Sequence, residues 1–414
     1  MTRRRLLEGV LCAALCLVGA VARGAPLTDT ANVSYSTWTV SGSSSGPSVL
    51  LKFLLPEALA QSLTATGLPV LTTRKLGEFV LRHVAVGAAG RNCPAVDQGY
   101  DIGIVDPLAV GPALHGFEIL FRCPVSGALT LHDHALFDRS AGHVNFARIV
   151  KDGRVIEQLF TAAHQELRLP AAGSVPAAGF GQYLRLGVMH LFRSPAPLCF
   201  LVGSLLLLRR RREVLWLAGA VVVGYGISLA VSTRSWILPR VPLLEAYMGF
   251  LVALLAAMIT LRELRQPRVS MLGCPALLAV LAILTAFTSH HLQMLVLAGA
   301  AMLAASLLVA NLWFESRREL WLVPVVLVGF LDGFALPAAL EPLQLPQRSQ
   351  AWMVAAFDCG AALAAVASMV LLLAALSVLR GRLRTALRRL PASELAAAGL
   401  GGLGTFWLLS RLYN

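Results

Sequence analysis

Charge is scarce in this 414-residue sequence: Asp, Glu, Lys and Arg make up 14% of it, against 57% hydrophobic residues. A soluble domain carries about 25% charged residues, so ordinary soluble folds, disorder, collagen and coiled coil are excluded. None of the apolar runs contains HExxH, GxSxG or a paired-Asp motif, which counts against an intramembrane enzyme. Cysteines at CxxC spacing are lacking in the polar part of the chain, which counts against a structural zinc site there. Acidic residues are few as well, and the formal net charge is +13. Such an excess suggests nucleic acid until it is divided along the chain. Residues 26–184 hold 11 basic and 12 acidic residues, whereas residues 185–414 hold 20 and 9. The basicity therefore sits in the apolar half, clustered between hydrophobic runs, where Arg fixes topology. This is the pattern of an integral membrane protein, with the lipid bilayer and not nucleic acid as its partner.

What is present divides into three regions: 1–25, 26–180 and 181–414. In the first, Arg3, Arg4 and Arg5 precede an apolar stretch, Leu6–Val21, and small residues follow at Ala20-Val21-Ala22 and Gly24-Ala25. That order reads as a secretory signal peptide. The other reading is an uncleaved first helix, for which the stretch is short. Export would place residues 26–180 outside the cytoplasm, in the periplasm of a Gram-negative host, with the rest in the inner membrane.

Residues 26–180 are rich in Gly, Ser, Thr and Pro, with short apolar stretches at Val49–Leu55, Phe79–Val86, Phe117–Phe121, Ala128–Leu131, Arg154–Phe160 and Glu166–Leu169. Short runs separated by turn signals predict a small antiparallel β-sandwich-like domain. Cys93 and Cys123 are its two cysteines, and in an oxidising compartment they read as a disulfide, with two free thiols as the alternative. His132-Asp133-His134 with His143 is its most chemical-looking patch. On a strand His132 and His134 share a face, as a metal pair requires, but one alternating pair is more simply surface polarity. Residues 170–176 read as a linker.

Apolar runs of spanning length occur near 186–208, 214–231, 241–261, 271–288, 293–313, 320–336, 351–379 and 395–409, predicting an all-α bundle of about eight helices. With residues 26–180 outside, the cytoplasmic loops carry fourteen arginines, Arg209–Arg212 among them, and the outer loops three: Arg234, Arg240 and Arg348. This asymmetry is the positive-inside pattern. Ionisable residues within spans are costly, and each is a candidate for function. Here they are His190 with Arg193, Glu245, Asp332 and Asp358. At 1.5 Å per residue all four of His190, Glu245, Asp332 and Asp358 fall in the outer third of the membrane. They are cation-binding candidates for a shared vestibule, unless each reaches water or a local partner by itself. Arg193, nearly one turn after His190, could instead pair with a carboxylate and neutralise the site.

Several stretches of 181–414 resemble HupE/UreJ-type membrane proteins, in particular the larger variants with a signal peptide and an extracytoplasmic domain. Gly187-Val-Met-His190 is similar to the family's opening Gly-x-x-His pattern. Tyr225-Gly226-Ile227-Ser228-Leu229 stands where the family has His-Ser-Ile-Thr-Leu, and Leu244-Glu245-Ala246 where it has Val-Glu-Ala. Phe330-Leu331-Asp332-Gly333-Phe334-Ala335 resembles His-Gly-x-Gly-Phe-Ala. Phe357-Asp358-Cys359-Gly360 resembles Phe-Asn-x-Gly, and Ser393, Gly404, Trp407 and Arg411 the closing motif. The resemblance implies nickel or cobalt uptake, with ligands among these His, Asp and Glu positions. The departures remove most of them: Ala196-Pro197 replaces Asp-His, Tyr225 and Phe330 replace His, and Ala362 replaces Glu. Of the implied metal ligands His190 and Glu245 persist. Gln266–Phe314 reads as an inserted helical hairpin, whose Ser289-His290-His291 turn is an interfacial loop or a weak metal-collecting point.

Three functions follow as expectations. One is a divergent permease for a divalent metal ion using His190, Glu245, Asp332 and Asp358. A second is a non-transporting assembly protein that kept the scaffold, lost the ligands, and serves a periplasmic or membrane protein partner. An intramembrane enzyme is the weakest. No cofactor is expected.

Overall fold

The structure is a computed structural model that describes residues 32–42, 46–57, 59–60, 73–105, 114–139, 142–169, 179–208, 212–234, 241–263, 301, 305, 322–340, 343, 345, 347–387 and 392–413. The expected signal peptide, the expected linker at 170–176, the expected span at 271–288, all of that at 293–313 but residues 301 and 305, and His290-His291 lie outside these residues. The chain forms two compact units, one built from Asp29–Tyr183 with Leu336–Ala356, the other from Leu184–Ala335 with Phe357–Asn414.

The first unit is strand-rich. Its strands are β1 (Val33–Ser41), β2 (Ser48–Pro56), β3 (Val84–Ala88), β4 (Arg91–Asn92), β5 (Ala95–Val105), β6 (Leu114–Arg122), β7 (Leu129–Asp133), β8 (Val144–Lys151), β9 (Arg154–Thr161) and β10 (Glu166–Leu169). They make a six-stranded sheet in the order β5-β6-β2-β1-β8-β9 and a four-stranded sheet in the order β10-β7-β3-β4. The two sheets share one core because successive strand residues face opposite ways. Val49, Leu51 and Phe53 of β2 lie opposite Phe121, Ile119 and Phe117 of β6. These join Val86, Leu131 and Leu169 of the second sheet in a single buried cluster. Cys93 and Cys123, joined by a disulfide with Cα atoms 4.4 Å apart, belong to the same cluster.

Two features depart from the antiparallel expectation. β1 and β8 pair in parallel, Val33 opposite Val144 through Val40 opposite Lys151. No hairpin turn constrains strands so far apart in sequence, so they are free to take the parallel sense. The stretch Phe79–Val86, expected as one strand, is divided between helix α1 (Thr73–His83) and β3. Leu76 and Val80, four residues apart and both buried, carry the helical period that overrides the apolar run.

A row of polar side chains lies buried between β1 and β8. Ser34, Ser36 and Trp38, on one face of β1, meet His143 and Asn145. Ser34 Oγ is 3.0 Å from His143 Nε2 and accepts from Asn145 Nδ2 at 2.8 Å. Ser36 Oγ donates to Asn145 Oδ1 at 2.6 Å and accepts from Trp38 Nε1 at 3.0 Å. Segment 336–356 belongs to this unit: Arg148 Nη1 donates to the Leu343 carbonyl at 3.2 Å, and Trp352 meets the buried Tyr183 edge-on with ring centroids 5.3 Å apart.

The remaining helices are α2 (Phe180–Arg193), α3 (Pro195–Leu207), α4 (Glu213–Thr233), α5 (Val241–Glu263), α6 (Leu322–Asp332), α7 (Ala335–Leu340), α8 (Gln347–Leu387) and α9 (Ala392–Tyr413). Four stretches among the described residues are long and apolar enough to cross a membrane: Glu213–Thr233, Leu243–Thr260, Leu322–Leu340 and Ser349–Ala375. A fifth arises if α2 and α3, bent by 70° at Ser194, count as one broken span. The eighth expected span, 395–409, lies within α9, which packs along α5 without meeting that test.

Candidate functional site

The second unit gathers polar side chains where its helices are interrupted. Pro195 ends α2, because proline cannot continue the hydrogen-bond ladder and forces the preceding Ser194 into an extended backbone. His190 occupies the last turn before that bend. α6 stops at Asp332, and Gly333-Phe334 turn the chain before α7 begins. Asp358 lies in α8. This helix crosses α2 with almost no side chain between them: a Cβ on Gly187 would sit 2.0 Å from the Phe357 carbonyl oxygen, and one on Gly360 equally close to that of Leu184. Only glycine permits such an approach.

Three of the four expected cation-binding residues come together. His190 Nε2 lies 3.3 Å from Asp332 Oδ1, and both side chains are buried. Asp358, 4% exposed, is within electrostatic reach of Asp332 and of Tyr225. Phe357 packs against the His190 ring with centroids 5.1 Å apart. Neither oxygen of Asp358 has a hydrogen-bond partner among the described residues, in surroundings where a lone carboxylate costs several kcal/mol.

Glu245 is elsewhere. Its Oε2 lies 2.7 Å from Arg411 Nε, an ion pair without hydrogen-bond alignment that ties α5 to the last turn of α9. The four-residue vestibule therefore resolves into a three-residue cluster and a separate pair. No group of three or more His, Cys, Asp or Glu side chains among the described residues is arranged to hold a metal ion. His132 and His134 share a face as expected, with ring centroids 6.2 Å apart. They turn to Glu166 and Gln165, while His143 is buried against Ser34.

Sequence reasoning missed two members of the cluster. Tyr225 donates its hydroxyl to Asp332 Oδ2 at 2.5 Å. Ser228, one turn along α4, buries an Oγ without a hydrogen-bond partner among the described residues, against Gly333 at the α6 interruption. The signal was available: both residues lie in the Tyr225–Leu229 stretch, and their three-residue spacing puts them on one helical face. Arg411 was noted only as part of a closing motif.

A family model described as HupE / UreJ protein matches residues 163–274. This is a little over a quarter of the chain, and it includes His190, Tyr225, Ser228 and Glu245 but ends before Asp332 and Asp358. No curated protein and no solved structure matches the chain.

Proposed function

Taking similarity to the HupE / UreJ family as the premise, we propose that this chain is a membrane permease for a divalent cation of the nickel or cobalt type. His190, Asp332 and Asp358, with Tyr225, form its polar station. The observation that carries the reading is Asp358: a buried carboxylate without a hydrogen-bond partner, beside a second carboxylate, at the meeting of interrupted helices. Interrupted helices are a common way for a transporter to expose polar groups to an ion. His190 and Asp332 offer nitrogen and oxygen donors of the kind nickel accepts. Asp358, within electrostatic reach of Asp332, adds a second carboxylate of the hard oxygen type that divalent cations accept. The arginine asymmetry supports an inner-membrane location with residues 26–180 on the periplasmic side.

The Glu245–Arg411 pair favours a second reading. It occupies one of the two ligand positions that persist from the family pattern, and a carboxylate already neutralised by arginine is of little use to a cation. On that reading the chain is an assembly protein for another membrane or periplasmic protein. Uptake of ⁶³Ni²⁺ into vesicles containing the full-length protein separates the two. A permease loses uptake with Asp358→Asn and keeps most of it with Glu245→Gln; no uptake by the intact protein selects the assembly reading.

A further inference from the structure

The outer face of the four-stranded sheet carries two imidazoles that its core does not use. His132 on β7 and His134 just beyond it point to the same side, with ring centroids 6.2 Å apart and planes 17° from parallel. Each presents Nδ1 to an oxygen of the neighbouring segment: His132 Nδ1 lies 3.2 Å from Glu166 Oε1, and His134 Nδ1 bonds Gln165 Oε1. The Gln165 amide is itself oriented, because its Nε2 donates to the Ala162 carbonyl at 3.2 Å. Two acceptors thus draw the proton to Nδ1, which leaves the Nε2 lone pair as the reactive atom of each neutral ring. An oxygen behind Nδ1 is the arrangement that orients metal-ligating histidines. The backbone beneath is fixed as well. Glu166 lies opposite His132 in register, Asp133 N–H donates to the Gln165 carbonyl at 2.9 Å, and His134 N–H donates to the His83 carbonyl at 2.8 Å. Ala85, the partner of His132 on β3, is too small to cover the pair.

We propose that His132 and His134 form a two-imidazole capture site for a divalent first-row transition ion on the strand-rich domain, a site distinct from the His190 cluster. Imidazole nitrogen suits nickel, copper and zinc. With a metal–nitrogen bond of about 2.1 Å, one ion shared by both rings needs centroids about 5 Å apart, so the rings close from 6.2 Å on binding. Two protein ligands leave the other positions to water, since no third His, Cys, Asp or Glu among the described residues is arranged to complete a metal site. Such a site holds an ion loosely enough to release it. The inference does not depend on the permease reading, because capture belongs to this domain whether or not the helices transport.

Site-resolved labelling of the full-length protein in lipid nanodiscs is the test. Diethyl pyrocarbonate carbethoxylates an imidazole nitrogen that carries a free lone pair, and tandem mass spectrometry reads His132, His134 and His164 separately. Nickel chloride alone is the probe. Ni²⁺ is expected to slow labelling of His132 and His134 together and to leave the exposed His164 unchanged. Loss of one ring removes the chelate, so His132→Ala should raise the Ni²⁺ concentration that half-protects His134 about a hundredfold. Glu166→Gln keeps both rings and weakens the partner behind one of them, and should raise that concentration about tenfold. The labelling rate of His164 without metal reports the fold of each variant. No protection of either ring overturns the proposal, and so does protection of His134 that His132→Ala leaves unchanged; the imidazoles then serve only to pair β7 with β10.

Discussion

Both units bury polar side chains, and the row between β1 and β8 differs from the buried carboxylate of α8. Between β1 and β8 every member of the row His143, Ser34, Asn145, Ser36 and Trp38 holds at least one neighbour by a hydrogen bond. Asp133, fully buried nearby in sequence, accepts from the Ala135 amide at 2.9 Å through Oδ1, while its Oδ2 has no hydrogen-bond partner among the described residues. Asp358 in α8 has no such partner among the described residues. Satisfied buried polar groups rigidify and specify a fold, whereas an unsatisfied one is a cost that packing alone does not repay. The first arrangement holds two strands together; the second leaves a buried carboxylate without a structural task among the described residues.

Four experiments sharpen or break that contrast. The largest effect expected is in the paired unit's covalent tie. Cys93 and Cys123 are 30 residues apart, and a loop of that length is worth about 3.6 kcal/mol in the unfolded-chain entropy account. The double Cys→Ala variant should unfold at correspondingly lower denaturant, read by the fluorescence of Trp38; an unchanged midpoint refutes the estimate.

Next comes pH. Burial pushes the Asp133 carboxyl up to about 7, against the opposing Ala135 hydrogen bond. Burial pulls the His143 imidazole down to about 4, opposed by a hydrogen bond with the Asn32 backbone. For His143 the unfolded chain binds the proton more tightly, so stability is full above about 6.5 and is lost as pH falls toward 4. For Asp133 the folded chain binds it more tightly, so stability is full below about 3.8 and is lost as pH rises toward 7. Between pH 4 and 6.5 the two slopes oppose each other. Asp133→Asn should therefore expose a loss of about 3 kcal/mol on acidification across that window, and His143→Gln a gain of similar size. Parallel, flat profiles in both variants would show that neither group is shifted.

Third, Asn145→Ala takes one hydrogen bond from each of two buried hydroxyls and should cost about 2 kcal/mol, measured by thermal unfolding. The smallest effect has the opposite sign. Asp358→Leu removes an unpartnered buried carboxyl and should stabilise the helical unit by about 1 kcal/mol while abolishing nickel uptake. A destabilised Asp358→Leu protein would mean that the carboxyl is structural and that the contrast between the two units is false.

Those residues also show how far a sequence carries. The two sheets were legible because Val49, Leu51 and Phe53 alternate with residues that face away, and four of the expected spans because length and apolarity are one-dimensional properties. Counting along the expected spans put His190, Asp332 and Asp358 at similar heights, and the first two do meet. Counting does not fix direction around a helix axis, however, and Glu245, counted to a similar height, faces Arg411. The parallel sense of β1 against β8 was hidden for a related reason: alternation reports which face is buried, not which strand lies alongside. Tyr225 was set aside as a lost ligand position, a tyrosine where the family pattern has histidine, although its hydroxyl lies 2.5 Å from a carboxylate oxygen.

The parallel pairing of β1 with β8 has a consequence for how the domain is made. The side-chain bonds that link them join Ser34 to residues 109 and 111 positions further on. Loop closure over such a distance must be completed before the contacts reward it, and chains dominated by pairings of that kind fold slowly. β2 can pair with β1 as soon as both are synthesised, but the other flank of β1 stays open until Lys151 has been added. A nascent chain thus carries an unpaired strand edge for most of the domain's synthesis. Edges of that sort invite pairing with other chains, so the strand-rich domain should depend on a chaperone, or on fast delivery of its last third, more than its size alone suggests.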